Sequence, residues 1–193
     1  MIERSLVLMK PDAVQRGITG EIIMRLERMG LKIIGMKMLH PDPKFVEKHY
    51  LTTDKELTII GERTLQDCEE NDIDVVENVG TTDPVEIGRQ VWNWNVGFLS
   101  SGPVAALVFE GPSAISNIRM QVGHALPVKS APGTIRGDFG LDSSIGANSR
   151  KRTIYNLVHA SGNKSDAERE IKLWFKEEEL LDYRRVHEDL YSY

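Results

Sequence analysis

SLVLMKPDAVQRGITGEIIMRLERMGLKIIGMKMLH, residues 5 to 40, holds the pattern that decides the fold. Its opening Ser5 to Met9 is a short apolar run cut off by the breaker Pro11, the length of a buried strand rather than a helix. Asp12 to Gly17 is rich in turn formers, and Thr19 then stands where a helix N-cap belongs. From there Ile22, Ile23, Leu26 and Met29 recur at three- and four-residue spacing, one face of an amphipathic helix, with Gly30 just past its end. Leu31 to His40, dense in Ile and Met, reads as a second strand.

The rest of the chain repeats the alternation. Pro43 to His49 is a brief helix; Val104 to Phe109 is a strand stopped by Glu110-Gly111-Pro112; Ser113 to Val122 is helical. Ser165-Asp166-Ala167-Glu168 fits a capping box that opens a helix through Phe175. Strands alternating with helices predict an α+β sandwich of the split βαβ type, a single domain over residues 1–193. Leu51 to Gln90 and Asp142 to Arg152 fit that plan poorly and read as insertions projecting from the body.

Composition narrows the function classes. With 40% hydrophobic and 27% charged residues the chain is an ordinary globular one, which excludes disorder as its main state. A lone cysteine, Cys68, excludes an internal disulfide and a Cys-based zinc site. No apolar run approaches the ~20 residues that span a bilayer, so a cytoplasmic protein with no membrane partner is expected. The net charge of −5 opposes nonspecific nucleic-acid binding, but it is unevenly spread. Leu51 to Gln90 carries eleven Asp or Glu against three Lys or Arg, a balance of −8, which leaves +3 for the body and room there for a small anionic substrate.

Cations mark where such an anion could sit. In Gly133-Thr-Ile-Arg-Gly-Asp-Phe139 two glycines bracket Arg136 in a turn-prone segment; the alternative is a plain loop in which Arg136 pairs with Asp138. Lys10 continues a buried strand, and Arg119 lies on a helix whose Ile115, Ile118 and Val122 face the core. No G-x-x-x-x-G-K-[ST] motif occurs, nor any H-R-D with D-F-G, so a bound phosphate would be held by scattered side chains.

Among five histidines, His159 stands apart: apolar residues precede it and Ala160-Ser161-Gly162 leave room beside it. Eleven residues on, Glu170 falls beside the inner stripe Ala167, Ile171 and Trp174 of its helix. A carboxylate there needs a donor, and an imidazole N–H supplies one. The pair would fix the tautomer and leave the other nitrogen free to attack; without a reaction it is a structural bond.

On Lys10-Pro-Asp-Ala-Val-Gln-Arg-Gly17, Gly20-Glu-Ile-Ile23, His49-Tyr50, Ser101-Gly-Pro-Val104, Pro132-Gly-Thr-Ile-Arg-Gly-Asp-Phe139, Asn156-Leu-Val-His-Ala-Ser161 and Glu168-Arg-Glu-Ile171, the sequence resembles the nucleoside diphosphate kinases from Arg4 to about Tyr183. The resemblance implies a ferredoxin-like α+β fold, a four-stranded antiparallel sheet with helices packed on it. It also implies Mg²⁺-dependent ping-pong transfer of a γ-phosphoryl group from a nucleoside triphosphate to a nucleoside diphosphate through a phosphohistidine. Position by position, His159 looks like the nucleophile, Glu170 the acid that orients it, and Lys10, Tyr50, Arg119, Arg136 and Asn156 the phosphate and ribose contacts. Family members are homo-oligomers, which favours a hexamer here, with tetramer or dimer as alternatives.

Two departures stand out. The family's H-G-S-D reads His159-Ala160-Ser161-Gly162, which removes a carboxylate near the metal, so Mg²⁺ is expected to rest mainly on the nucleotide phosphates with no protein ligand. A threonine that contacts phosphate reads Ala125, and Val91 or Trp92 are the candidates to stack on the base. These departures keep open a catalytically impaired paralogue that binds nucleotide or assembles. An RNA-binding sheet is the other class with this topology, but the strands offer it only Phe109. The acidic stretch either folds away as a surface element, the favoured arrangement, or forms a lid with Trp92 or Trp94. Exposed apolar area for assembly is expected around Trp92, Trp94 and Phe98.

Overall fold

The computed structural model describes residues 2–50 and 53–186; Leu51, where the acidic stretch begins, and His187 lie outside them. Strands β1 (Ile2–Met9), β2 (Lys32–Leu39), β3 (Val104–Pro112) and β4 (Val158–Ala160) form one antiparallel sheet in the order β2-β3-β1-β4. β1 pairs with β3 along its length, Ile2 opposite Pro112 and Met9 opposite Ala105, and only its last residues meet β4, where Leu8 faces His159. Helices α1 (Pro11–Gln15), α2 (Thr19–Arg28), α3 (Pro43–His49), α4 (Asp54–Glu70), α5 (Val75–Val79), α6 (Pro84–Leu99), α7 (Ala114–Val122), α8 (Ile135–Phe139), α9 (Ser144–Asn148) and α10 (Lys164–Trp174) surround it. This is the ferredoxin-like α+β sandwich.

Both faces of the sheet are covered, which explains why β1 is a continuous apolar run rather than an alternating one. Val7 and Met9 face α2 and α7 through Ile22, Leu26, Ile118 and Val122. Leu6 and Leu8 face α3, α6 and α10 through Val46, Val96, Leu99, Ile171 and Trp174. Among the described residues no helix is long and apolar enough to cross a membrane.

Two expected caps are displaced. Ile18, not Thr19, precedes α2; its aliphatic side chain has no acceptor to give a cap and packs against the core, while its carbonyl accepts from Ile22 N–H at 3.1 Å. Asn163, not Ser165, caps α10: its Oδ1 accepts from Asp166 N–H at 2.9 Å while its Nδ2 donates to Asp166 Oδ2 at 2.7 Å, a reciprocal pair two residues earlier. The Gly133 segment is also more regular than a turn: Thr134 caps α8 through Gly137 N–H at 3.1 Å.

The acidic stretch is helical, and it does not fold away from the body. Gly61 and Gly88 let α4 and α6 cross in contact, since a methyl group on either would run into the backbone of Pro84 or Leu57. α9 packs in turn against α4 and α5, so residues 142–152 and the acidic helices form one wall.

Candidate active site

Lys10, Tyr50, Arg119, Arg136, Asn156, His159 and Glu170 all line one cleft of about 1010 Å³. β1 delivers Lys10 at its end, β4 carries His159, and α10 brings Glu170 from below. The Oε1 of Glu170 lies 3.1 Å from His159 Nε2, and Ser161 Oγ donates to its Oε2 at 2.7 Å. Burial pushes the Glu170 carboxyl up, but the hydrogen bonds from His159 and Ser161 and the nearby Arg169 guanidinium outweigh it and hold the group below its ordinary value. An ionised carboxylate only accepts, so Nε2 of His159 carries the proton and a neutral ring keeps its lone pair on Nδ1. Among the described residues Nδ1 has no hydrogen-bond partner. Ser161 carried no role in the sequence reading, yet the signal was there: residues 159 and 161 share one face of an extended chain, so both reach Glu170.

The cations divide into two kinds. Arg136 donates to the carbonyls of Asn156 at 3.0 Å, Gly123 at 3.2 Å, His124 at 3.1 Å and Val158 at 2.5 Å. A guanidinium has five N–H groups, so one remains for a substrate. Asp138 is not its partner: that carboxylate takes Arg25 at 2.7 Å and Gly133 N–H at 2.8 Å. Arg119, by contrast, makes no hydrogen bond or ion pair among the described residues and lines the same cleft. Lys10 is 7% exposed and gives one of its three N–H groups to Asn156 Oδ1 at 2.8 Å; Asn156 Nδ2 is tied to Ala125 O at 2.8 Å. Burial, then Arg136, lowers the Lys10 ammonium to about 8; burial, then Arg119, lowers the Arg136 guanidinium to about 10. Burial raises the phenol of Tyr50.

Farther out, the wall of the cleft is the acidic segment itself: Glu56, Ile59, Ile60, Arg63, Asp67 and Glu70 of α4 line it. Its charge is partly neutralised there, because Lys129 Nζ holds Asp67 and Glu70 at 2.9 Å each. Val91 and Trp94 line the cleft, whereas Trp92 donates to Tyr50 O at 3.2 Å and packs on the core. Phe98 stacks on Tyr155 at 4.8 Å and is half-buried; the exposed apolar side chains include Met36 and Met38 on β2, 57% and 63% exposed.

Three cations around a tautomer-fixed imidazole, on a ferredoxin-like sheet without a Gly-rich phosphate loop, belong to the phosphotransferases. A sequence model described as nucleoside diphosphate kinase matches residues 3–58 and 81–180, leaving out 59–80 of the acidic wall and running through 142–152. A nucleoside diphosphate kinase of Pyrobaculum aerophilum is 43% identical over 94% of this chain and 99% of its own. The crystal structure of an NDP kinase from that organism superposes with a TM-score of 0.90 at 42% identity, covering 94% of this chain and all of that one, 100%. A nucleoside-diphosphate kinase of Borrelia burgdorferi, solved as a transition-state mimic with vanadate and ADP, gives 0.78 at 35% identity over 98% of this chain and 96% of that one. The chain belongs to the nucleoside diphosphate kinase family.

The two arginines should separate experimentally. Arg136→Ala leaves four carbonyls without their donor and should lose about 3 kcal/mol, seen as a Tm lowered by roughly 10 °C, along with activity. Arg119→Ala should keep its Tm and lose roughly one to three orders of magnitude in kcat rather than in KM. Equal Tm losses, or a pure KM effect in Arg119→Ala, would contradict this division.

Proposed function

We propose that the family's phosphotransferase reaction, exchange of a γ-phosphoryl group between a nucleoside triphosphate and a nucleoside diphosphate, runs here in two half-reactions through His159. What carries this reading is the Glu170 bond, which takes Nε2 and leaves the Nδ1 lone pair for attack. In the first half Nδ1 forms a bond to the γ-phosphorus as the bridging P–O bond breaks, and the diphosphate departs with that electron pair. The second half is the reverse with another diphosphate. Proton movement is not required, so catalysis reduces to alignment and charge.

Arg119 and Lys10 have free N–H groups for phosphate oxygens, Arg136 contributes one N–H and a fixed charge, and Asn156 and Tyr50 complete the binding surface. Mg²⁺ enters mainly on the nucleotide phosphates. The donor set admits it: Asp166 lines the cleft with an Oδ2 2.8 Å from where a Cβ on Gly162 would stand, so this helix carboxylate occupies the region of the one missing at 162. When bound, the ion neutralises charge on the β- and γ-phosphates. A homo-oligomer, with a hexamer favoured over tetramer or dimer, is supported by Met36 and Met38 exposed on the edge strand β2. A cytoplasmic location is part of this reading.

Incubation with γ-labelled ATP and Mg²⁺ should give acid-labile, base-stable label on the protein, transferable to a diphosphate, and His159→Gln should abolish label and turnover together. No label on the parent would favour the binding or assembly paralogue.

Lys10 sets the expected pH dependence. Its ammonium, lowered to about 8, is charged below that pH and neutral above it, so kcat/KM should fall on an alkaline limb centred near pH 8. For stability the sign is opposite: the unfolded lysine keeps its proton to 10.5, so folding gains as pH rises from about 8 to 10.5. Lys10→Arg should retain reduced activity without the limb; an identical limb in that variant would assign it to another group.

A further inference from the structure

His49, next to Tyr50 in the H-Y pair, has no assigned role, yet it is 2% exposed and stands against the nucleophile. Its ring centroid is 4.4 Å from that of His159 at an interplanar angle of 81°, and a ring nitrogen of each and a Glu170 carboxylate oxygen lie within 4.8 Å of one another. On its far side Trp174 Nε1 donates to His49 Nδ1 at 3.3 Å. An indole nitrogen only donates, so Nδ1 must accept and the neutral ring carries its proton on Nε2. Burial, and then His159, Arg169 and Lys10, oppose a second proton.

That Nε2–H is buried without an acceptor, a state which, among side-chain atoms of the described residues, it shares only with Asn148 Nδ2. Buried donors are rarely left unpaired, and each such group calls for an explanation. The same tautomer argues against a metal in the His49, His159 and Glu170 triad, because neither nitrogen of His49 has a lone pair to give. Glu170 alone pins one atom of the His159 ring and leaves rotation about that bond. Ring contact from His49 blocks the rotation.

We propose that His49 is a positioning residue for phosphoryl transfer: locked by Trp174 as the Nε2–H tautomer, it fixes the plane of the His159 ring and sets a donor rather than a lone pair beside the His159–Glu170 pair. With a proton rather than a lone pair facing that pair, the His49 ring does not oppose the ionised Glu170, so the proton stays on His159 Nε2 and the lone pair on Nδ1. This rests on His159 as nucleophile.

Single-turnover labelling of the full chain by ATP and Mg²⁺ tests it in the parent, Trp174→Phe, His49→Gln and His49→Leu, with Tm recorded for each. Long-range ¹H–¹⁵N spectra of the parent should show His49 protonated at Nε2. Trp174→Phe keeps the ring but frees the tautomer, and should label roughly tenfold more slowly at unchanged KM. His49→Gln, which can return an N–H near the Nε2 position, should keep most of the rate, and His49→Leu should lose at least as much as Trp174→Phe. A proton on Nδ1 in the parent, or parental rates in both Trp174→Phe and His49→Leu, would overturn the assignment. A parent that forms no phosphohistidine would instead overturn the reading of His159, so the two failures are distinct.

Discussion

Everything in the site depends on how the chain is gripped at Leu157. This residue sits at φ +68°, in the left-handed region, at a strain of about 1–2 kcal/mol for a side chain other than glycine. Asp12 Oδ2 accepts its N–H at 3.0 Å, and its carbonyl accepts from Lys10 N–H at 2.8 Å. Its side chain is 1% exposed in the core under β1, which adds apolar burial to the two hydrogen bonds. Arg136 then takes the carbonyls on either side, Asn156 and Val158. The reversal so fixed lets three residues of β4 join the end of β1 and sets His159 opposite Leu8.

Crowding of like charge is the second constraint. Burial, and then Arg136, depresses Lys10, and burial, and then Arg119, depresses Arg136. Asp12 offsets part of this from beneath, and its own carboxyl is raised chiefly by burial. A cationic cleft paid for in the free protein is relieved by an anionic substrate, most where charge develops during transfer. The acidic wall that faces this field is partly neutralised, since Lys129 binds two of its carboxylates.

The central elements were legible because burial dictates pattern: β1 on two covered faces, α2 on one. β4 was not legible as a strand, since three residues give no periodicity and its pairing partner is over 140 positions away. The caps at Thr19 and Ser165 were misread because Ile18 is fixed by the core and Asn163 both donates and accepts. His159 and Glu170 could be read from spacing on strand and helix. Arg136 reads as a phosphate contact, but its four carbonyl partners come from two separate segments that only the fold brings together. In α4, Leu57, Gly61, Thr64 and Cys68 form a buried stripe that its surface carboxylates concealed, and with it the wall of the cleft.

The account turns on which imidazole nitrogen is free. Phosphorylating ¹⁵N-histidine-labelled protein with ATP and Mg²⁺ and reading the ³¹P–¹⁵N coupling locates the bond. Phosphorus on Nδ1 of His159, with Nε2 protonated, is the predicted result; phosphorus on Nε2, or on any other side chain, would contradict the account.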